Sequence, residues 1–451
     1  MKEKDIVILN IESYGMEGEG VAHEGAHTFF VPYAMAGERV KVAVDHVKGN
    51  IAFAHIIKMI EPSPARRDPA CPLYGKCGGC SLRHIPYEIQ EEIKRENVRT
   101  LFYKNAGIEL GEIPYVESAE DGYRNKVALP FGVENGKVVL GMYKRATHRV
   151  LPLSACPLHG EWIEPLIRET LDFVREHKIS VYDERSGKGL LRHLVARRLP
   201  LKGAYECSVI FVVNGAKIPR EEVLSERLAA SLDDKVNVYI CKNTMHNNVI
   251  LTSDIRTLRG EDHIRAEMCG GVWEVSPLSF LQVNFPVAES IYEKVVSEIP
   301  EGGFVVDAYS GTGIMSALIA KRARKVVGIE VIRDATLNAV KNAEAFGVGD
   351  KVTHLCGTVE DILPDVVKEE KDYTLVVDPP RAGLDPTIID TILACPPESI
   401  LYVSCSPATL TRDIGRLEGK YALDEVKLFD IFPGTPHVES VVLMSRAGSR
   451  Q

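Results

Sequence analysis

The sequence predicts a multidomain protein with a small N-terminal β-barrel, a strand-rich central α+β domain and a C-terminal Rossmann-like α/β domain. With 451 residues, the chain is too long for a single compact core. Short strands separated by glycine turns fill the first 60 residues, and the three prolines of EPSPARRDPAC then mark a boundary. From about residue 270 onward, short apolar strands alternate with helices, which is typical of a parallel sheet covered on both faces.

These patterns predict domains at residues 1–60, 61–265 and 266–451. In the middle domain, apolar residues at helical spacing predict one amphipathic helix over residues 87–106, which we expect to pack on the C-terminal domain. The tripeptide ENG at 134–136 lies between two strand-like runs and predicts a tight hairpin.

The composition indicates a soluble protein. Hydrophobic residues make up 45% of the chain and charged residues 26%, and no apolar run approaches the roughly 18 to 20 residues of a membrane-spanning helix. The opening MKEKDIVILN shows no secretory signal, so we expect a cytoplasmic protein, and nothing implies an obligate protein partner. In a reducing compartment, the ten cysteines are expected to be thiols, metal ligands or catalytic groups rather than disulfides.

Two basic stretches stand out against a net charge of -9. Residues 124–149 carry a local charge of +5, and residues 185–202 carry +6 with no acidic residue. Such runs often form a solvated charged face, but two in one region also fit a surface that guides a nucleic acid. The candidate contacts within them are Arg124, Lys126, Arg197 and Arg198.

Two motifs in the C-terminal domain predict a nucleoside-bearing cofactor. In VVDAYSGTGIMS, Asp307 ends a strand, and Gly311 and Gly313 lie in the turn before a helix, where glycines let a ligand approach the backbone. The next strand, VVGIEVI, ends with Glu330, whose carboxylate can accept both hydroxyls of a ribose. A dinucleotide would need a third spaced glycine, which GTGIMS lacks. The pair of motifs instead resembles the S-adenosylmethionine-dependent methyltransferases, which implies that cofactor.

A cysteine and a carboxylate suggest the reaction. Cys405 follows the apolar strand SILYVS, and Asp378 ends the preceding strand in LVVDPPRAGLD. Methyltransferases that modify exocyclic amines have an aromatic residue after a similar Asp-Pro-Pro, whereas Arg381 follows here, which favours methylation of a ring carbon. C5 of a uracil can take a methyl group only after a thiolate has attacked C6. Cys405 could be that nucleophile rather than an ordinary buried cysteine, because Glu439 in HVES offers a base for the C5 proton.

The motifs SFLQVN, DAYSGTG, DPPRAG, SCSP and HVES, in this order, resemble the uracil-5 RNA methyltransferases, a family that acts on transfer and ribosomal RNA. The resemblance spans nearly the whole chain. It implies that Cys405 is the nucleophile, that Glu439 is the base, and that Phe280 stacks on a flipped uracil. It also implies four contacts to the cofactor, from Gln282, Tyr309, Glu330 and Asp378.

A separate group of cysteines suggests a metal centre. Cys71, Cys77 and Cys80 are spaced C-x5-C-x2-C, and Cys156 offers a fourth thiolate. Their spacing leaves both a tetrahedral zinc ion and an iron-sulfur cluster open. Resemblance to the ribosomal RNA members of the family implies a [4Fe-4S] cluster with a structural or RNA-orienting role. The N-terminal barrel likewise resembles the TRAM domain, an RNA-binding module.

We therefore expect an S-adenosylmethionine-dependent enzyme that forms 5-methyluridine, and 23S ribosomal RNA is favoured because the barrel and the cysteine cluster occur together. The alternative among enzymes is a transfer RNA uracil-5 methyltransferase, whose simpler members lack both features. A second alternative is a noncatalytic RNA-binding iron-sulfur protein on a methyltransferase scaffold. The presence of both Cys405 and Glu439 argues against this last alternative.

Overall fold

A computed structural model describes residues 1–370 and 372–448 of the chain. It has the mixed α/β, multisheet architecture that the sequence predicts, and its sheets are formed by successive parts of the chain, except that one short strand at residues 115–116 joins the C-terminal sheet. Residues 371 and 449–451, which belong to the predicted C-terminal domain, lie outside the described residues. In the part of the chain that is described, every helix is too short or too polar to cross a bilayer.

The N-terminal sheet has six strands in the order β1-β5-β6-β4-β3-β2. Its strands are β1 (Ile6–Asn10), β2 (Ser13–Tyr14), β3 (Gly20–Glu24), β4 (His27–Val31), β5 (Arg39–Lys48) and β6 (Ile51–Glu61). Alternating apolar side chains point inward, so Phe29, Val42 and Ala52 are fully buried in a core of their own. This sheet matches the strand-rich segment expected before residue 60, and its assignment as a TRAM-like barrel stays a prediction.

Helix α1 (Tyr87–Ala106) has the bounds that the apolar spacing predicts. It ends at Gly107, which adopts the left-handed conformation (φ 65°) that glycine tolerates at a helix C-terminus. The short strand β7 (Tyr115–Val116) follows it.

The central sheet has seven strands in the order β10-β9-β8-β11-β12-β13-β14. Its elements are β8 (Lys126–Glu134), β9 (Lys137–Tyr143), β10 (Val150–Pro152), α2 (Ile163–Glu176), β11 (Leu191–Leu201), β12 (Ala204–Val213), α3 (Glu221–Ser231), β13 (Lys235–Lys242) and β14 (Ile255–Arg259). The predicted hairpin is confirmed: Asn135 and Gly136 both have positive φ (51° and 76°) between paired Glu134 and Lys137.

A two-stranded sheet and then the C-terminal sheet complete the chain. The remaining elements are β15 (Ile264–Met268), β16 (Gly271–Val275), α4 (Phe285–Ser297), β17 (Phe304–Ala308), α5 (Ile314–Ile319), β18 (Lys325–Glu330), α6 (Arg333–Ala345), β19 (Val352–Cys356), α7 (Val359–Glu369), β20 (Tyr373–Val377), α8 (Pro386–Ala394), β21 (Ser399–Ser404), α9 (Pro407–Arg416), β22 (Tyr421–Phe429) and β23 (Glu439–Arg446). The strand order is β19-β18-β17-β20-β21-β23-β22-β7. Strands β17 to β21 pair in parallel, as predicted, whereas β23 enters antiparallel between β21 and β22.

Residues 87–116 are attached to this C-terminal sheet. Strand β7 pairs with β22, and Val98 and Phe102 of α1 are fully buried in the core of the C-terminal strands. Lys94 of α1 forms an ion pair with Asp430, with 2.7 Å between Nζ and Oδ1, and neither side chain is exposed to solvent. The expected packing of the predicted helix on the C-terminal domain is therefore observed, and the predicted domain boundaries themselves stay a prediction.

Candidate active site

One edge of the C-terminal sheet gathers polar side chains that are far apart in the sequence. Tyr309 follows β17, Glu330 ends β18, Asp378 follows β20 and Cys405 follows β21. Because these strands are parallel, their carboxyl ends meet at the same edge, which is where open α/β sheets bind their ligands. The fold therefore brings together the residues that the motifs single out.

The glycine turn after β17 serves two purposes. A Cβ atom on Gly313 would lie 2.6 Å from the Cβ of Ala339, so this glycine allows α5 to pack closely on α6. A Cβ atom on Gly311 would meet no atom within 4 Å, but its φ of 54° favours glycine. Its N–H donates to the Glu330 carboxylate (3.0 Å), which also accepts from the N–H of Ile332 (2.7 Å). A carboxylate has about four lone-pair sites, so Glu330 keeps capacity for two hydroxyl donors.

A cavity lies beside this turn, and we call it the inner cavity. Three of the four predicted cofactor residues line it, namely Gln282, Tyr309 and Asp378. The fourth, Glu330, contacts the wall of this cavity indirectly, because its carboxylate accepts a hydrogen bond from the N–H of Gly311. Tyr292 of α4 also lines the cavity, and sequence reasoning missed it because no motif surrounds it.

Acidic groups dominate the inner cavity. Burial raises the pKa of Asp378 to about 7. Burial likewise raises the pKa of Asp307 to about 7, although a hydrogen bond from the Ser316 hydroxyl opposes the shift. Desolvation favours the neutral carboxylic acids, and a nearby positive charge would restore the carboxylates. The cavity therefore suits a ligand that carries positive charge and a ribose.

Cys405 and Glu439 lie close together at the end of two paired strands. Ser404 of β21 pairs with Ser440 of β23, Cys405 directly follows Ser404, Glu439 directly precedes Ser440, and the charge of Glu439 acts on the Cys405 thiol. Glu439 is only 3% exposed, and burial together with nearby Asp378 raises its pKa well above the ordinary value. The predicted nucleophile and base are thus neighbours.

The same surroundings control the thiol. Burial and then Glu439 raise the pKa of Cys405, whereas Arg381 lowers it by its charge and by a hydrogen bond. Arg381 also opposes the raised pKa of Glu439. This arginine, which replaces the aromatic residue of amine methyltransferases, is therefore the cation that stabilises both anions.

A second cavity of about 200 Å³ opens on Cys405, and we call it the outer cavity. Arg381 and His437 line it from the C-terminal domain, and Met16 and Glu17 line it from the N-terminal sheet. The side chain of Asn97 on α1 donates to the carbonyl of Met16 (3.1 Å), which ties that turn to the site. No local motif at Met16 or Glu17 signals this placement, because it depends on contacts between distant parts of the chain.

The loop before α4 carries Phe280 and Gln282 into the site. Phe280 is 74% exposed, an unusual state for a large apolar side chain and one that leaves its ring free to stack. Two side chains of the central part of the chain hold this loop through hydrogen bonds. Arg197 donates to the carbonyl of Ser279 (3.1 Å), and Asn125 donates to the carbonyl of Gln282 (3.0 Å).

The four basic candidates have different surroundings. Arg124 and Lys126 are partly exposed and Arg197 is buried, and no ion pair among the described residues involves any of the three. Arg198 instead forms two hydrogen bonds with Asp234 (2.8 and 3.0 Å) and lies over the ring of Tyr205. Its charge is therefore already compensated within the protein.

The four clustered cysteines line one further cavity, together with apolar side chains such as Met142 and Leu153. All four are free and half-buried. The N–H of Gly79 donates to Cys77 Sγ (3.3 Å). Burial raises the pKa of Cys156, and the backbone N–H groups of Leu158 and His159 oppose this shift. N–H donors directed at sulfur suit thiolate ligands.

No group of three or more His, Cys, Asp or Glu side chains in the described ranges is arranged to hold a metal ion. The four thiols share one cavity, and their role as ligands of a metal centre stays a prediction.

Comparison with known proteins identifies relatives along the whole chain. Residues 221–447 match the family described as tRNA (uracil-5-)-methyltransferase. An uncharacterized RNA methyltransferase of Clostridium tetani is 34% identical over 100% of this chain and 98% of its own length, and one of Bacillus cereus is 34% identical over 99% and 98%. The crystal structure of the Pyrococcus abyssi tRNA (uracil-54, C5)-methyltransferase with S-adenosyl-L-homocysteine is similar at 27% identity and a TM-score of 0.77, covering 97% of this chain and 100% of that one.

Proposed function

Because this chain belongs to the RNA uracil-5 methyltransferase family, we propose that it forms 5-methyluridine in 23S ribosomal RNA, using Cys405 and Glu439. S-Adenosylmethionine-dependent methylation of RNA follows from the family. What we propose for this chain is the identity of the RNA substrate and the catalytic roles of Cys405 and Glu439. The observation that supports it most strongly is the proximity of Cys405, which lines the outer cavity, to the buried carboxyl group of Glu439.

The inner cavity fits the cofactor. Its carboxyl groups can stabilise a sulfonium ion, and Glu330 keeps acceptor capacity for the two ribose hydroxyls. We assign Gln282, Tyr309, Glu330 and Asp378 to cofactor binding. When bound there, S-adenosylmethionine would supply an electrophilic methyl group.

The outer cavity would receive the uracil. The Cys405 thiolate, stabilised by Arg381, adds to C6 and makes C5 nucleophilic. After C5 has been methylated, the Glu439 carboxylate removes the C5 proton and the C6–S bond breaks to release the thiolate. Phe280, which lines the inner cavity and is exposed, would stack on the extruded base.

We also propose that Cys71, Cys77, Cys80 and Cys156 hold one [4Fe-4S] cluster. The shared cavity and the N–H donors aimed at sulfur support it. When bound, the cluster supplies covalent cross-links between the loop at 71–80 and the segment at 156. Methyl transfer by the route above needs no electron donor or acceptor. We therefore assign the cluster a structural or RNA-orienting role.

A single substitution tests the cluster. Cys80→Ser in protein purified without oxygen should lose the broad visible absorption and most of the iron and acid-labile sulfide, because one of four ligands is gone. Cys395→Ser is the matched control, since this half-buried cysteine lies outside the cysteine cavity and should leave the spectrum unchanged. Stoichiometric zinc without iron in the unsubstituted protein would overturn the proposal.

The choice of RNA rests on the cysteine cluster and the N-terminal sheet occurring together. The structural similarity to the Pyrococcus abyssi transfer RNA enzyme favours the second candidate, a transfer RNA uracil-5 methyltransferase. The purified protein should transfer a labelled methyl group to 23S ribosomal RNA transcripts and leave transfer RNA transcripts unlabelled. The reverse pattern supports the second candidate, and mapping of 5-methyluridine then identifies the modified position.

The noncatalytic alternative makes a different prediction. A noncatalytic RNA-binding iron-sulfur protein would bind RNA and show the cluster spectrum but would label neither RNA. The paired Cys405 and Glu439 have no evident structural role that would explain a buried acid beside a thiol, which favours the enzyme.

A further inference from the structure

Three cations meet on the central sheet without a carboxylate partner among the described residues. Lys126 of β8 and Arg197 of β11 are directly opposite each other in the antiparallel ladder, so their side chains share one face. Arg124 lies just before β8, and its Nε donates to the carbonyl of Lys126 (3.3 Å). Burial and then the charges of Arg197 and Arg124 lower the pKa of Lys126 to about 8.

Arg197 has unused donors in the interior. Its residue is only 3% exposed, and Nη2 donates to the carbonyl of Ser279. Its Nε and Nη1 are buried and have no hydrogen-bond partner. Burying a guanidinium without an anion or a full set of acceptors is strongly unfavourable, so these donors indicate a place that an anion completes.

These three cations lie next to the loop before α4. Ser279, which accepts from Arg197, immediately precedes the exposed Phe280. Asn125, between Arg124 and Lys126, donates to the carbonyl of Gln282 in the same loop. An anion bound by Lys126 and Arg197 would therefore lie beside the residue that is proposed to stack on the flipped base.

We propose that Arg197 and Lys126 bind one backbone phosphate of the RNA, next to the uridine that is presented to Cys405. The inference rests on the proposed function, because it takes the substrate to be RNA. Because Nε and Nη1 of Arg197 are buried, a phosphate oxygen reaches these donors only after the side chains that cover them move. The partly exposed Lys126 adds a compact charge that solvent can reach. Arg124 strengthens the local positive potential.

This site differs from a diffuse positive surface. The adjacent Arg198 is paired with Asp234, and Lys137 lies exposed at the hairpin end of the same basic stretch. A diffuse field would depend on every cation in the stretch, whereas a phosphate site depends on Lys126 and Arg197 alone. Lys137→Met is therefore the matched control for Lys126→Met.

The test measures RNA affinity against salt concentration for the full-length protein and a 23S ribosomal RNA transcript. Lys126→Met should weaken binding about tenfold and reduce the slope of log K against log salt by about 0.7 to 1. Lys137→Met should leave both unchanged. Arg197→Lys should keep the slope but lose affinity, because the charge remains and the planar donors do not. Equal slopes for Lys126→Met and the unsubstituted protein would overturn the proposal, as would equal losses for Lys126→Met and Lys137→Met.

A chemically modified RNA locates the phosphate. A set of short RNAs that contain the target uridine is made. In each RNA, one phosphate near this uridine is replaced by a neutral methylphosphonate. One position should weaken binding to the unsubstituted protein about tenfold and have no further effect on Lys126→Met. Additive losses at every position contradict a shared contact. Methyl incorporation by the unsubstituted protein is followed in parallel, so a protein that methylates RNA but shows no such position refutes the phosphate site alone.

Discussion

Glu439→Gln should accumulate protein that is covalently linked to methylated RNA, whereas Cys405→Ala should form no such species. Glutamine leaves the Cys405 thiol in place but cannot accept the C5 proton, so the reaction stalls before the C6–S bond breaks. Alanine removes the sulfur, so no bond to C6 can form. On a denaturing gel with labelled RNA, the linked species migrates above the free enzyme. Turnover should fall at least a thousandfold, by order of magnitude, in both variants.

The opposite edge of the same sheet offers matched controls. Cys395 and Glu398 lie before β21, at the amino end of that strand and away from both cavities. Cys395→Ala and Glu398→Gln should keep normal turnover and show no accumulated adduct.

The outcomes separate the two roles. Equal amounts of adduct in Cys405→Ala and Glu439→Gln would place the nucleophile elsewhere. Full turnover by Glu439→Gln would show that another group accepts the C5 proton, either His437 or a water molecule held by Asp378. Asp378 is close enough to raise the pKa of Glu439, and it is itself buried beside the inner cavity.

Lys94→Met should destabilise the protein by about 3–5 kcal/mol, because the substitution leaves the Asp430 carboxylate buried without its cation. The Tyr87 hydroxyl, which donates to the other carboxylate oxygen (2.9 Å), cannot replace a full charge. Urea denaturation followed by circular dichroism should show the midpoint at lower urea. In the double variant Lys94→Met with Asp430→Asn, much of the loss should be recovered because no buried charge remains.

Lys104→Met is the control for this prediction. Lys104 is exposed in the last turn of the same helix, so its substitution should change the stability by no more than about 0.5 kcal/mol. A midpoint for Lys94→Met that matches the Lys104→Met midpoint would show that the buried pair does not hold α1 to the C-terminal sheet.

Local patterns predicted much of the fold and the inner part of the site. Helix α1 has the predicted bounds because its apolar spacing and the glycine after it agree, and the hairpin at Asn135 follows from turn chemistry alone. The carboxyl ends of parallel strands necessarily meet, so Asp378 and Cys405 could be placed at one edge from motifs in the sequence.

Long-range placement could not be predicted in the same way. The antiparallel entry of β23 between β21 and β22, which brings Glu439 near Cys405, depends on how the last strand pairs and not on a local motif. The contribution of Met16 to the outer cavity similarly depends on contacts across the fold. Charge counting also grouped Arg197 with Arg198, although alternation along β11 gives the two side chains opposite faces.

The attachment of α1 and β7 means that the methyltransferase half of this chain is not a module that can be excised. A fragment that begins at residue 221, where the family match starts, would lose the helix that covers Leu410 and Ile414. It would also leave β22 as an unpaired edge strand and leave the Asp430 carboxylate without its partner Lys94. Any transplant of this catalytic unit onto another RNA-binding module therefore has to begin before residue 87.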